Sequence, residues 1–460
     1  MTSRRTLLAV LVSNLLLAAC ASTQNRPSDA YPPIVFVHGN GDTAALWQTT
    51  LWRFEANGWP SGHLHAIDLP YPLARDDDSK DQSGRSSTAQ HMAFLKSQVE
   101  QVLQSTGVRK VVLIGNSRGG NAIRNYIENG GGAAHVSHAI LGGTPNHGVW
   151  AISGYREGNE FSGTGPFLRA LNAPKNAAGD EVTGPVQWLT LRSDNNDKYA
   201  QADGLWTGLP GTPTQVNADG PALKGATNIV LPGVDHRETS FSPEAFAASF
   251  RFITGTAPQT LLAEPQNRVV LNGKVTGLGL NPSDPSTGNY AINLPLRGAQ
   301  LLVYATDVET GARLGAAVHS RSVGADGLWG PFTAQAGVPY EFVINAPGYA
   351  TTHIYLSAVP RSSALIHLRA ERLAEADKGA VSSITLSRPR GYFDARRDRM
   401  LFDGKALPGV AATVAGVSST KIRTDQPGVR PISAQFNGES VTGLTWPAVD
   451  NHLVVLELTY

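Results

Sequence analysis

Val111-Val112-Leu113-Ile114-Gly115-Asn116-Ser117-Arg118-Gly119-Gly120 is the stretch on which the reading of the chain turns. A run of apolar residues leads straight into Gly-x-Ser-x-Gly, and residues 121–127 then follow with helical spacing. A serine on a sharp strand-to-helix turn sits in a crowded backbone conformation, and small residues two positions either side relieve the crowding. The helix behind such a serine aims its first amides and its dipole at negative charge developing on a substrate. The stretch therefore predicts a buried strand, a tight turn presenting Ser117 as a nucleophile, and a helix. In a chain with 48 glycines the five-residue pattern alone is weak. The strand before it and the helix after it carry the inference.

The same alternation extends outward. Continuous apolar or β-branched runs at 34–37, 139–141, 188–191 and 228–231 suit strands buried on both faces of a parallel sheet. Between them, residues 89–103 place Met92, Leu95, Val99 and Val102 on one helical face. Ser242 followed by Pro243 predicts a capped helix running to about residue 254. Strands alternating with helices predict a doubly wound α/β domain over residues 32–257. After Pro258 the pattern changes. Strand-like runs at 269–271, 301–304, 340–344, 352–356 and 364–368 are broken by Gly, Pro, Asn and Asp. They predict an all-β region, sandwich or barrel, in two modules at 258–373 and 374–460, with the charged stretch 369–378 between them.

A chain of 460 residues is too long for a single core. Its formal net charge of +1 lacks the clustered basic excess that nucleic acid demands, so no nucleic-acid partner is expected. The one cysteine, Cys20, excludes an intrachain disulfide. Arg4-Arg5, an apolar run over 7–17 and Leu17-Ala18-Ala19-Cys20 describe a secretory signal, too short for a comfortable membrane span. Small residues directly before a cysteine resemble the lipobox of bacterial lipoproteins. The expectation is a signal over 1–20, Cys20 as the lipidated first residue after processing, and a polar tether over 21–31. The product would be exported, secreted or held at the outer membrane as a lipoprotein, with a lipid surface as partner. An ordinary signal cut near position 19 or 21 is the alternative.

Val35-Phe36-Val37-His38-Gly39-Asn40-Gly41 ends a strand upstream of the nucleophile, where enzymes with such a turn place a second oxyanion donor. The backbone N–H groups of Asn40 and Arg118 form the expected pair, and His38 is read as structural. Downstream, the order Ser, acid, His directs attention to Asp194-Asn195-Asn196-Asp197 after the 188–191 run. Asp197 is the preferred acid, with Asp194 and Asp203 as alternatives that would otherwise cap turns. His236 follows the next strand and fits the general base, whereas His147 precedes every candidate acid.

At this point the chain resembles the bacterial and archaeal lipases of the α/β-hydrolase superfamily. The resemblance rests on His38-Gly39, Gly115–Gly119, Gly143-Thr144-Pro145-Asn146-His147-Gly148, Phe167–Asn172, Gly179-Asp180-Glu181 and the loop 193–197. It covers roughly residues 32–256. The segment 236–255 and Asp450-Asn451-His452 also look like an archaeal lipase that carries a C-terminal β domain for long acyl chains. That relative places its acid right after the strand corresponding to 139–141, where this chain has Gly142-Gly143. The resemblance implies acylglycerols or other carboxylic esters, cleaved through an acyl-enzyme without a cofactor. A polyester depolymerase and a catalytically inactive envelope binding protein are the competing readings.

Other features are read plainly. Arg75–Asp81 lacks the spacing of a calcium loop and reads as a solvated turn. No cluster has zinc-ligand spacing. Trp47, Trp52 and Trp59 are expected to pack the core, with the lining of an acyl pocket as the alternative. Residues 149–166 form a loop or a small cap over the site, and Asn121 and Arg124 are structural. His319, His353, His367 and His452 are expected at the surface, and a lipid-binding or stabilising role for the β region stays open. Oligomeric state is not legible.

Overall fold

The computed structural model describes residues 31–194, 196–201, 209–212, 214–280 and 289–460. The signal with Cys20, the tether up to residue 30 and the alternative acid Asp203 lie outside the described residues. Six strands form one parallel sheet: β1 (Ile34–Val37), β2 (Leu64–Ile67), β3 (Val111–Asn116), β4 (Val136–Gly142), β5 (Gln187–Ser193) and β6 (Thr227–Leu231). Their order is β2-β1-β3-β4-β5-β6, with every pairing parallel. Strand β2 carries a short, half-buried sequence at the sheet edge and left no clear apolar run to read.

Helices cover both faces, as a doubly wound fold requires. They are α1 (Gln48–Ala56), α2 (Thr88–Thr106), α3 (Arg118–Asn129), α4 (Pro166–Leu171), α5 (Glu238–Phe241) and α6 (Pro243–Thr254). Strand residues alternate between the two faces with the pleat's period of two. Val35, Val37, Leu113 and Leu141 pack on Leu95 and Val99 of α2 and Ile123 and Tyr126 of α3. Their neighbours Phe36, Val112, Ile114 and Ile140 pack on Phe54 of α1 and Phe246 and Phe250 of α6. Local signals fix the helix ends. Ser87 and Gln90 form a capping box on α2, and Ser242 Oγ accepts from Ala245 N at 3.1 Å at the start of α6.

The β region is built on a seven-stranded sheet: β7 (Gln300–Ala305), β8 (His319–Ser322), β9 (Tyr340–Asn345), β10 (Thr351–Leu356), β11 (Ser382–Ser387), β12 (Ser419–Thr424) and β13 (His452–Glu457). The order is β8-β7-β9-β10-β13-β11-β12. Strand β13 pairs in parallel with β10 on one side and β11 on the other, so one sheet runs across the 373/374 division. Its two faces carry two cores. Ile354 and Val455 join Leu301, Trp329 and Phe342, while their neighbours Tyr355 and Val454 join Ile384, Phe393 and Phe436.

Two expectations are corrected here, those for the strand at 364–368 and for the histidines, and the core placement of Trp52 is made specific. The strand foreseen at 364–368 lies at Leu368–Ala370 and pairs with Val275–Gly277, so Arg369 belongs to a strand and not to a linker. Trp52 is buried, but in the β-region core, and its Nε1 donates to Ser362 O at 2.8 Å. The histidines are not all at the surface. His353 is buried against Glu341 (2.7 Å) and His452 (2.7 Å), and His367 Nε2 reaches Asp68 at 3.0 Å. Charged partners from distant segments bring these rings inward, which no local pattern reveals. Among the described residues, no helix is long and apolar enough to cross a membrane.

Candidate active site

Strand β3 delivers Ser117 to the N-cap position of α3 with φ 51° and ψ −119°. A non-glycine residue held there stores about 1–3 kcal/mol, which surrounding structure must overcome. Two backbone hydrogen bonds hold the turn: Ser117 N donates to Gly142 O at 2.8 Å, and Gly120 N to Ser117 O at 3.0 Å. The motif glycines are required by space. A Cβ on Gly115 would lie 2.7 Å from Ile123 Cδ1, and one on Gly119 would collide with the Val37 carbonyl oxygen. Gly39 has the same constraint from the opposite side, since its Cβ would stand 3.1 Å from Ser117 Cβ.

His236 follows β6. Its Nδ1 lies 2.6 Å from Asp197 Oδ2, with the two side chains 8% and 4% exposed. A carboxylate only accepts, so Nδ1 carries the donated proton and Nε2 is left as the acceptor in the neutral ring. Asp197 is fixed in turn: Oδ1 accepts from Tyr199 N at 2.8 Å, and its own N donates to Ser193 Oγ at 3.1 Å. The Tyr199 ring meets His236 edge-on at 4.8 Å. Asp194 faces elsewhere. Its oxygens accept from Asn196 N at 3.0 Å, Ser193 Oγ at 3.2 Å and Gly233 N at 2.9 Å, which makes it a turn residue. Ser117, His236 and Asn40 line one cavity of about 200 Å³, walled by Val149, Trp150, Phe161 and Tyr199.

The other predicted residues fall around this cavity. Asn40 Oδ1 accepts from Ala74 N at 2.7 Å, which pins the loop after β1. His38 is buried. Its Nε2 accepts from Leu69 N at 3.1 Å, and its Nδ1 therefore donates to Gly39 O at 2.9 Å. Burial pushes the ring's pKa down, so the neutral form is favoured. His147 Nε2 sits 3.1 Å from both Glu181 oxygens and takes no part in the Asp197–His236 pair. Arg124 is buried and holds Asn146 O (3.1 Å) and Asn172 Oδ1 (2.8 Å).

Glu160 went unnoticed in the sequence. The fully buried Arg118 guanidinium grips its carboxylate at 2.9 and 2.8 Å and also donates to Pro72 O and Ser86 O. Burial pushes the Glu160 carboxyl up, and Arg118 opposes that shift. Together with Asn159 Nδ2 on Arg75 O (3.0 Å) and Asp78 N on Gly158 O (2.8 Å), this pair makes segment 149–166 a fastened wall beside Ser117. An arginine between Ser and Gly of the motif, forced inside by the turn, was the available clue. Lys198, next to Asp197, is lowered to about 8 by burial and then by Arg237. Among the described residues, no group of three His, Cys, Asp or Glu side chains is arranged to hold a metal.

Residues 31–160 match the family described as lipase (class 2), and residues 267–373 match the lipase C-terminal domain. No curated protein matches the chain. Among solved structures, the mature lipase BlEst2 of Bacillus licheniformis is 21% identical, covering 49% of this chain and 90% of its own, with a TM-score of 0.34. Its propeptide form is 15% identical over 90% of this chain and 93% of its own, with a TM-score of 0.35. The lin2722 product of Listeria innocua is 15% identical over 50% and 97%, with a TM-score of 0.33.

Proposed function

For a chain that is an α/β-hydrolase of the lipase and esterase type with a C-terminal β region, we propose that it hydrolyses carboxylic esters through an acyl-enzyme on Ser117. The observation that carries the proposal is the 2.6 Å contact between Asp197 and His236, on the wall of the cavity that Ser117 also lines. His236 Nε2 takes the Ser117 Oγ proton as that oxygen attacks the ester carbonyl. Asp197 holds the ring's tautomer and stabilises the imidazolium that forms. The backbone N–H groups of Asn40 and Arg118 receive the oxyanion; Arg118 opens α3, where the first amides have no intrahelical acceptor. Collapse of the tetrahedral species passes the proton from His236 to the leaving alcohol. Water then repeats the sequence and frees Ser117.

Val149, Trp150 and Phe161 give the acyl group an apolar wall, which favours acylglycerols or simpler esters. An inactive binding protein would have no use for a buried carboxylate aligned on a histidine. Residues 1–20 support export, and Cys20 a lipid anchor that would hold the enzyme at a membrane surface. Loss of the lipidated form in Cys20→Ala tests that part. The chemistry is tested with protein lacking residues 1–20 on p-nitrophenyl esters of graded length, emulsified triglyceride and polyester film. Ser117→Ala is expected to lower kcat by about 10⁶-fold. Turnover surviving that change overturns the assignment.

A further inference from the structure

Asp197 and His236 stand on loops that leave different strands, β5 and β6, so their 2.6 Å contact depends on how the two loops are held together. Residues 388–417 of the β region grip both. On the base side, Asp235 is fully buried and closes the turn bearing His236: Oδ1 accepts from Arg237 N and Glu238 N, each at 2.8 Å. Its Oδ2 accepts from Tyr392 N at 2.6 Å and Arg388 Nη1 at 3.2 Å. Arg388 Nη2 goes on to Glu238 Oε1 at 2.7 Å, and Arg397 holds the same carboxylate at 2.5 and 2.9 Å. On the acid side, Asn196 Nδ2 donates to Asp394 Oδ2 at 2.9 Å, and its Oδ1 accepts from Arg396. Asp197 forms a backbone bridge with Ala415, and Lys198 Nζ donates to Gly416 O at 3.2 Å.

Two buried carboxylates three residues apart repel unless a cation lies between them. Arg388 is that cation, with its side chain only 5% exposed. Of the two carboxylates Arg397 reaches only Glu238, so Arg388 is the bridge between them, and its loss would leave their repulsion acting on the turn that carries His236. A displacement of about 1 Å in a reacting group costs on the order of 100-fold in rate.

We propose that Arg388 is a positioning residue for His236, and that residues 388–417 form a clamp that sets the Asp197–His236 hydrogen bond from outside the α/β domain. The proposal rests on the reading of Ser117, Asp197 and His236 given above. The clamp touches no substrate, so its loss should lower kcat and leave KM nearly unchanged.

The test uses the chain lacking residues 1–20, with Arg388→Met, Arg388→Lys and the partly exposed double change Arg396→Ala/Arg397→Ala. The first readout is proton NMR of the low-field His236 Nδ1–H signal, which does not depend on turnover; the second is p-nitrophenyl butyrate kinetics. Arg388→Met is expected to broaden or lose the signal and lower kcat by about 10- to 100-fold with KM within about twofold. Arg388→Lys should restore part of both. If Arg388→Met does not fold, the double variant gives the answer, with the same direction and a smaller loss. A folded variant that keeps the Nδ1–H signal and kcat while losing only thermal stability overturns the clamp. If the signal moves but the wild type hydrolyses no ester, the clamp stands and the hydrolase reading falls.

Discussion

The β region meets the α/β domain along two seams made from the same materials, and they differ in what they hold. In the first, Asp68, just past β2, is gripped by Lys274 Nζ at 2.7 Å and His367 Nε2 at 3.0 Å, while Arg361 reaches Glu55 of α1 at 2.9 Å. Most of these contacts fall on the flank of the sheet, while Asp68 Oδ1 also accepts from Ala44 N at 2.7 Å and Asn293 Nδ2 donates to Asp42 O at 2.9 Å, both in the chain that follows β1. In the second, Arg388, Tyr392, Asp394 and Arg397 hold the loops around Asp197 and His236. A buried carboxylate gripped by basic side chains fastens scaffold in one place and, on the proposed function, aligns a proton-transfer pair in the other. Location, more than strength, decides what such an ion group does.

The contrast can be pressed in steps. The largest effect is expected inside the second seam: Asp197→Asn should lower kcat about 10⁴-fold by upsetting the His236 tautomer. Asp194→Asn should change kcat by less than about tenfold, since Asp194 supports a turn. Steady-state kinetics on p-nitrophenyl butyrate decides, and a large loss in Asp194→Asn with little loss in Asp197→Asn would move the acid to Asp194. A smaller effect of another kind belongs to the first seam. Asp68→Ala should lower stability by about 2–4 kcal/mol, at or below the usual figure for a broken buried pair because Lys274 is partly exposed. Its kcat should stay within about twofold. Urea denaturation and kinetics on one preparation test this, and a large fall in kcat would erase the distinction between the seams.

The smallest effect is one of pH. Burial alone would raise the Asp68 carboxyl, but His367 and then Lys274 override it and hold it well below the usual carboxylate range. A folded-state value below the unfolded one contributes stability that is complete above the unfolded pKa of about 3.9 and is lost as pH falls toward the folded value. The gap in urea midpoint between wild type and Asp68→Ala should therefore narrow from pH 6 to pH 3. A constant gap would show that Asp68 acts by packing alone.

Local chemistry made much of this legible from sequence. Buried parallel strands announce themselves as unbroken apolar runs, and the glycines around Ser117 sit where the turn leaves no room for a side chain. The expectation of an α/β sheet followed by strands rested on those signals. What stayed hidden depends on pairs far apart in the chain. Asp194 and Asp197 share one loop and one chemistry, and only the folded position of His236 distinguishes them. Glu160 gains its meaning from Arg118, and Arg388 from Asp235 and Glu238. His353 reads as an ordinary strand residue until Glu341 and His452 are brought beside it.

The placement of β13 bears on the order in which the molecule can be assembled. Strands β10 and β11 are both present in a growing chain before residues 452–457 are made, yet they are not neighbours, because β13 lies between them. Until it arrives, each offers an open edge, and the sheet that supports residues 388–417 remains in two parts. The α/β domain has by then received every residue of its own core. On the proposed function, a nascent chain would thus hold a finished scaffold before its Asp197–His236 pair is aligned, and hydrolysis would wait on the closing of a sheet in the β region.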